Sequence, residues 1–314
     1  AHNPTPWFYA MARIYADFND PSDQVEVAAI QSKMRIVGLS DWGKANPPRP
    51  AHPPVPDVGD LSEVLIETDV VSYIKKMVMS DPMSFWNNVN RAMTVNGVPE
   101  RDERYLKDWA DLHIGPDQDV SKAEDNEKAG LAKAVFGGIM IMRAYATPEE
   151  KRVNGWGVPP VGFGRSGVHG NFYIRGAIQS MRGIVANDAE EAMYMGRDKD
   201  QNGDSITSKH TYELHFPPGQ TPPARYFWSL TVYDQDANLM LNDYDRYAIS
   251  GNSEDLIYED DGSLRILIGG EPPEGMVGNW LPAGESYTRV TLRVYGPEKA
   301  MIERSWKPPQ LKRL

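Results

Sequence analysis

The hydrophobic pattern of this 314-residue chain changes period near Thr147, and that change constrains the fold more than any other feature. Before it, apolar residues recur at helical spacing, as in the stretch Phe85–Met93. After Glu191, runs such as "RYFWSLTVYD" and "YTRVTLRVYG" alternate and end at turn residues, as antiparallel strands do. The sequence therefore predicts an α+β protein, with a helical region over 1–147 and an antiparallel, jelly-roll-like β-sandwich over 148–314.

Two stretches of the helical region have aromatic residues, proline and glycine at similar spacing. "WFYAMARIYADFNDP" begins at Trp7 and "FWNNVNRAMTVNGVP" at Phe85, and each pattern continues as helix, proline turn, helix and glycine. Two explanations of the match are equally good, since few residues are identical. Either the helical hairpin is duplicated, or two unrelated hairpins share the aromatic, proline and glycine residues that helical hairpins commonly have. Between the stretches, residues 44–58 hold six prolines in fifteen positions and predict an extended linker.

Composition and charge exclude several classes of function. The net charge is −11 without a basic cluster, so nucleic acid is not expected as a partner. The absence of cysteine excludes disulfides, thiolate metal sites and cysteine nucleophiles. No apolar run reaches the roughly 18 residues that a spanning helix needs, so membrane insertion is not expected. The chain begins with Ala1, which slightly favours a processed periplasmic or secreted protein over a cytoplasmic one and leaves a truncation open.

The order of motifs in the second half resembles a known family. "ARYFWSLTVYD", "NDYDRYAISG", "YEDDGSLRILIGG", "GNWLPAG" and "RVTLRVYGP" follow one another as in the bacterial domain of unknown function 1214 family. The helices around "FWNNVNRAM" and "LHIGPD" resemble the end of the associated 1254 domain. The resemblance implies a β-sandwich after a helical segment in a bacterial protein, and it implies no agreed activity.

The segment "DKDQNGD" is the sharpest metal-like signal. Asp198, Asp200 and Asn202 occupy alternate positions of a D-x-D-x-N-G pattern, and Asp204 completes the group. Lys209 stands where a calcium loop needs a bidentate acid, so a polar hairpin turn between "AMYMGRD" and "HTYELHF" is the favoured interpretation. No other cofactor is predicted, and calcium is left open.

Polar residues near the junction of the two regions form the predicted ligand site, because ligand sites favour such junctions. The segment "VNGWGVPPVGFGRSGVHG" is expected to be a glycine- and proline-rich loop. The group consists of His169, Tyr173 and Arg175 in or after this loop, Asp234, Asn242, Asp245 and Arg246 at strand ends, and Trp280 in a loop. No catalytic residue is assigned, since the chain has no zinc-spaced histidine pair, nucleophile elbow or phosphate loop. In the favoured alternative, Arg175 and Arg246 pair with Asp234 or Asp245 and hold the two halves together.

These features predict a soluble, acidic bacterial protein that binds or processes a small polar or glycan-like molecule in a cleft between the helical and β halves. The alternative is a structural or oligomer-forming β-sandwich protein without a catalytic site, and a homo-oligomer is left open. The sequence does not decide between an enzyme and a binding protein.

Overall fold

The computed structural model describes residues 10–17, 20–45, 80–146, 152–158, 176–177, 179 and 186–314. The chain divides into two compact units, Ala1–Gly137 and Gly138–Leu314. Most of the predicted proline-rich linker lies outside the described residues, as do His169, Tyr173 and Arg175 of the predicted ligand site.

The first unit is helical. Its described helices are α1 (Pro21–Lys33), α2 (Pro82–Asn96), α3 (Glu103–Trp109) and α4 (Asp125–Ala146), the last of which crosses the boundary between the units. Helices α1 and α2 each begin with proline behind an aspartate whose carboxylate caps the first turn. Both helix starts are visible in the sequence as an aspartate followed directly by a proline.

The first helix of the proposed duplication is absent from the described residues. Residues 10–17 carry no helix, although apolar residues recur there at helical spacing. The second stretch does form helix, turn and helix through α2 and α3. Residues 7–9 and 18–19 of the first stretch lie outside the described residues, so the duplication of the hairpin stays a prediction.

One buried amide organises the helical unit. Asn90 of α2 is 2% exposed; its Nδ2 donates to the carbonyl oxygen of His113 at 2.9 Å and its Oδ1 accepts from the backbone N–H of Gly115 at 2.9 Å. A small apolar core surrounds this contact and consists of Ile114, Val120 and Leu131, with Met83, Trp86, Met93 and Leu112 packed against it. The residues after α3 are thus bound to α2 by both polar and apolar contacts.

Ten strands of the described residues build the second unit. They are β1 (Arg152–Val153), β2 (Trp156–Gly157), β3 (Ala192–Arg197), β4 (Tyr212–Phe216), β5 (Ala224–Tyr233), β6 (Ala248–Ser250), β7 (Leu264–Gly269), β8 (Trp280–Pro282), β9 (Arg289–Pro297) and β10 (Lys312–Arg313). A short helix, α5 (Lys299–Ile302), follows β9. One sheet has the order β1-β2-β3-β9-β5-β6 and the other the order β10-β4-β7-β8.

A single apolar core lies between the two sheets. In β5, Trp228, Leu230 and Val232 enter this core, whereas Ser229 between them does not. Strands β4, β7 and β9 contribute alternate residues in the same way, so each sheet has one core face and one outer face. The predicted α+β class with a two-sheet C-terminal part is therefore confirmed, while the jelly-roll form stays a prediction.

Three local expectations were wrong. Strand β8 runs parallel to β7, with Leu267 paired to Trp280, so the sheets are not wholly antiparallel. The segment "VNGWG" was expected to be loop but forms the β1–β2 hairpin, in which Asn154 and Gly155 have φ angles of 51° and 83°, as a two-residue type I′ turn requires. Strands β3 and β4 belong to different sheets, so "DKDQNGD" is a turn but not the turn of a hairpin between them.

No helix in the described part of the chain is both long and apolar enough to cross a membrane.

Candidate functional site

A cleft of about 270 Å³ lies beside β4 in the second unit. Its walls come from two segments, β4 with the residues after it and the stretch that leads into β10. The lining residues are Glu213, His215, Phe216, Pro217, Gln220, Lys307, Pro309, Gln310 and Lys312. The edge strand β10 and its neighbour β4 thus border a small polar space, and the whole cleft lies within one unit.

Strand alternation explains why charged groups face this cleft. Tyr212, Leu214 and Phe216 are fully buried, so Glu213 and His215 between them point away from the core. Lys312 of β10 pairs with Glu213 in the register of the four-stranded sheet. Carboxylate, imidazole and ammonium groups are therefore brought together on the outer side of one sheet edge.

The carboxylate of Glu213 is already engaged. Arg265 of β7 places its Nε 3.2 Å from Glu213 Oε2 and its Nη2 2.9 Å from Glu259 Oε1, so one guanidinium lies against two acids. Asp261 lies near the same place; hydrogen bonds from Ser263 hold its pKa below the usual range, and the charge of His215 lowers it further. Glu213 thus has a cationic partner, Arg265, which it shares with Glu259.

The cationic and amide groups of the cleft are not compensated in this way. Within the described part of the chain, the side chains of Lys307, Lys312 and Gln310 make no hydrogen bond or ion pair with protein groups. Their donors are free to bind a ligand, and the two ammonium groups are unpaired positive charges in a chain that is acidic as a whole.

Arg246, a predicted ligand residue, is bound by three protein groups. Its Nη1 donates to Asp255 Oδ2 at 2.6 Å and its Nε to the carbonyl oxygen of Trp280 at 3.2 Å, while Nη2 donates to the carbonyl of Gly278. Asn242 holds the turn before it, since its Oδ1 accepts from the backbone N–H of Arg246 at 3.1 Å. The structure thus brings Asn242, Arg246 and Trp280 together, in a geometry that favours the structural alternative with Asp255 as the partner acid.

The other predicted strand-end residues serve local turns. Asp234 Oδ1 accepts from two backbone N–H groups of its own turn, those of Asp236 and Asn238, each at 2.9 Å. The carboxylate of Asp245 accepts a hydrogen bond from Tyr247 and raises the pKa of that phenol. Neither acid forms an ion pair with Arg246 among the described residues.

Trp280 does not offer an open aromatic surface. It was expected in a loop, but it begins β8 and is 1% exposed. Tyr244 packs against its ring edge to face with centroids 5.2 Å apart, and donates its own hydroxyl to Glu271 Oε2 at 3.1 Å. A ligand that stacks on Trp280 would have to displace this cover.

The predicted metal loop folds around Asp200. Its Oδ1 accepts from the backbone N–H groups of Asn202 at 2.8 Å and Asp204 at 3.1 Å, which closes a tight turn. Nη1 of Arg313 lies 3.2 Å from Asp204 Oδ2 and 3.6 Å from Asp200 Oδ2, in the space between two predicted ligands. The described residues contain no group of three or more acidic or histidine side chains arranged to hold a metal, and calcium stays a prediction.

A buried arginine next to this loop has a structural role. Arg197 is 2% exposed and donates from Nε and Nη2 to the carbonyl oxygen of Lys199 and from Nη1 to that of Asn154. Burial lowers the pKa of Arg197 to about 10, so the group stays charged at neutral pH and binds the β1–β2 hairpin to β3.

Part of the chain is similar to a family without a stated activity. Residues 191–299 match the model of a family described as protein of unknown function (DUF1214), which confirms the resemblance over that part of the chain. The preceding 1254 domain stays a prediction. Among curated proteins, none matches the chain.

Two solved structures are similar to this chain. The VPA0106 protein from Vibrio parahaemolyticus is 19% identical, with a TM-score of 0.57 over 94% of this chain and 66% of that chain, which shows a shared fold alone. This chain thus spans just under two thirds of that protein. An uncharacterised protein from Burkholderia cenocepacia is 13% identical, with a TM-score of 0.31 over 78% of this chain and 52% of that chain, too low to establish a shared fold.

The cleft residues were missed by the sequence predictions, although one signal was present. The alternation of "YELHF" already placed Glu213 and His215 on the outer face of a strand. The contribution of Lys307 and Lys312 could not be predicted from the local sequence, because they reach the cleft only when β10 pairs with β4.

Proposed function

We propose that this protein binds a small, polar, negatively charged molecule of the sugar-acid type in the cleft beside β4. The proposal rests on the side chains of Lys307, Lys312 and Gln310, which line the cleft and have no partner among the described residues. Two ammonium groups suit a carboxylate or phosphate, and amide groups suit hydroxyls.

The shape of the cleft supports a sugar-sized occupant. Its volume of about 270 Å³ suits a monosaccharide better than a larger ligand. Pro217 and Pro309 provide apolar wall against which the C–H face of a sugar ring can pack. The bound carboxylate would lie by the lysines, away from Glu213, whose carboxylate contacts Arg265.

The decisive experiment titrates the purified protein with glucuronate, galacturonate or neutral glucose. Calorimetry measures the affinity, and the rise in melting temperature measures binding independently. We expect saturable binding of a sugar acid and weaker binding of glucose. Lys307→Met and Lys312→Met should each weaken binding about tenfold, since a lost charge-assisted hydrogen bond costs roughly 1.5 kcal/mol.

The matched control is Lys299→Met. Lys299 lies on α5 outside the cleft, with its Nζ 3.5 Å from Glu303 Oε1, so its loss removes the same charge without touching the site. Equal effects of all three substitutions, or no saturable binding of any sugar acid, would reject the site and favour the structural alternative. A turnover assay on the sugar acid that binds then separates an enzyme from a binding protein.

A further inference from the structure

The outer face of the six-stranded sheet carries two arginines on its central strand. Arg289, Thr291 and Arg293 occupy alternate positions of β9, so their side chains leave the same face. Val290 and Leu292 between them are fully buried in the core, which fixes that face as the outer one. All three outward residues are half-buried rather than fully solvated.

The guanidinium of Arg293 leans over β5. Its Nη1 donates to Thr231 Oγ1 at 2.9 Å and its Nη2 to the hydroxyl of Tyr233 at 2.5 Å. Thr231 is the residue of β5 that pairs with Thr291. The positive charge of Arg293 is therefore held on one flank of Thr291 by two side-chain oxygens.

The guanidinium of Arg289 leans over β3, on the other flank. A Cβ atom built on Gly196 would lie 2.8 Å from Nη2 and 3.3 Å from Nε of Arg289, so the arginine lies directly across this glycine. Gly196 pairs with Thr291 from the β3 side. The two guanidinium groups thus lie on opposite flanks of Thr291, and the missing side chain of Gly196 leaves room for one of them.

The donors on this face have few protein partners. Within the described residues, the side chain of Arg289 makes no hydrogen bond or ion pair, the hydroxyl of Thr291 makes none, and Arg293 has no carboxylate within ion-pair distance. The chain carries a net charge of −11, and several of its other arginines pair with acids. Those paired with carboxylates include Arg152, Arg246, Arg265 and Arg313.

We propose that this face binds a small dianion, one anionic group on each guanidinium and the hydroxyl of Thr291 between them. Gly196 and Thr231 are separated by two strand spacings, roughly 10 Å, which a short molecule with two separated oxyanion groups can bridge. An arginine fork binds the two oxygens of a carboxylate or phosphate in parallel, and Arg289 has its whole fork available. The site is separate from the cleft beside β4 and does not depend on it.

Separate calorimetric titrations with succinate and with pyrophosphate test this site. They show whether it prefers paired carboxylates or paired phosphate groups. We expect one of them to bind saturably and acetate to bind at least tenfold more weakly, because acetate engages one guanidinium only. Arg289→Gln should weaken the dianion at least tenfold and leave the fold intact, since Arg289 has no described partner to lose. Thr291→Val should weaken it several-fold.

Two controls separate this site from general charge effects and from the cleft. Arg225→Gln removes an arginine that lies over the Tyr226 ring at the start of β5 and should leave the affinity unchanged. The double variant Lys307→Met/Lys312→Met should also leave it unchanged. No saturable binding of either dianion, the wild-type affinity in Arg289→Gln, or the same loss in Arg225→Gln would each overturn the proposal.

Discussion

The indole Nε1 of Trp156 donates a hydrogen bond of 2.8 Å to the carbonyl oxygen of Pro309, 153 positions further along the chain. Next to it, Asn154 Nδ2 donates to the carbonyl of Pro308 at 2.8 Å. These two bonds fasten the β1–β2 hairpin to the segment that leads into β10, which is also one wall of the cleft. The integrity of the cleft therefore depends on residues far away in sequence.

Trp156→Phe should lower the free energy of unfolding by about 1–2 kcal/mol, because it removes the donor to Pro309 and keeps most of the buried ring. Urea unfolding measures the loss. Trp306→Phe is the matched control: Trp306 donates to the carbonyl of Gln220 at 3.1 Å from a more exposed position, so its loss should be smaller. A larger effect at Trp306 would contradict the assigned role of Trp156.

Arg246→Met should destabilise the second unit by about 2–3 kcal/mol, because it leaves the carbonyl groups of Gly278 and Trp280 without their donor. Asp255→Asn should cost less than about 1 kcal/mol, since Asp255 is half exposed and exposed ion pairs contribute little. Thermal unfolding of both variants tests the order. Unchanged stability of Arg246→Met together with lost ligand binding would instead support the ligand role expected from the sequence.

Asn90→Asp should destabilise the helical unit by about 2–4 kcal/mol. The new carboxylate would place an oxygen against the carbonyl of His113, where Asn90 now donates, and would bury a charge. Asn126→Asp, in the exposed first turn of α4, makes the same chemical change and should stay within about 0.5 kcal/mol. Equal losses from the two substitutions would show that the buried amide is not the cause.

Acid should weaken the contact between Asp119 and α2. The backbone N–H of Ser121 donates to Asp119 Oδ1 at 2.9 Å and, as the largest cause, holds the pKa of this carboxyl below its usual value of 3.8, with Asn87 contributing less. Because the folded-state pKa is the lower one, the stabilisation is present above pH 3.8 and is lost as the pH falls through the folded value.

Carboxyl NMR measures this directly. We expect the midpoint of Asp119 to lie below 3.8 in the folded protein and to rise in Ser121→Ala, which removes the hydroxyl that also donates to it. A wild-type midpoint above 3.8 would contradict these hydrogen bonds to Asp119.

Calcium, if it occupies the "DKDQNGD" loop, has to displace the guanidinium of Arg313 from Asp200 and Asp204. Arg313→Gln should therefore show a larger rise in melting temperature with calcium than the wild type, and Asp200→Asn a smaller one. Magnesium serves as the control cation, since it requires a tighter octahedral site. The absence of a calcium response in all three proteins would remove this ion from consideration.

The longer strands could be predicted because each carries enough alternation to show its two faces. Strands β3, β4, β5, β7 and β9 have five to ten residues. Strands β1, β2, β6, β8 and β10 have two or three, too few for a period of two to be visible, and their pairing is set by tertiary contacts. The same reasoning explains Trp280, which looked like a loop residue until its parallel partner β7 was known.

The site was harder to predict, because its groups meet through pairing of distant segments. Arg246 could be singled out from the crowding of polar residues after β5, but its partner Asp255 depends on the path of the intervening chain. The repeat of "RVTLRVY" does place Arg289 and Arg293 on one face. What the sequence could not show is that Gly196 and Thr231 stand on either side of Thr291.

The pairing of β10 with β4 has a consequence for biosynthesis. Leu311 is fully buried in the sandwich core and β10 covers the edge of β4, which is synthesised about a hundred residues earlier. While the ribosome is still translating residues 217–310, β4 lacks this neighbour, and its open edge can pair with other nascent chains. This sheet can therefore be completed only after β10 has been synthesised.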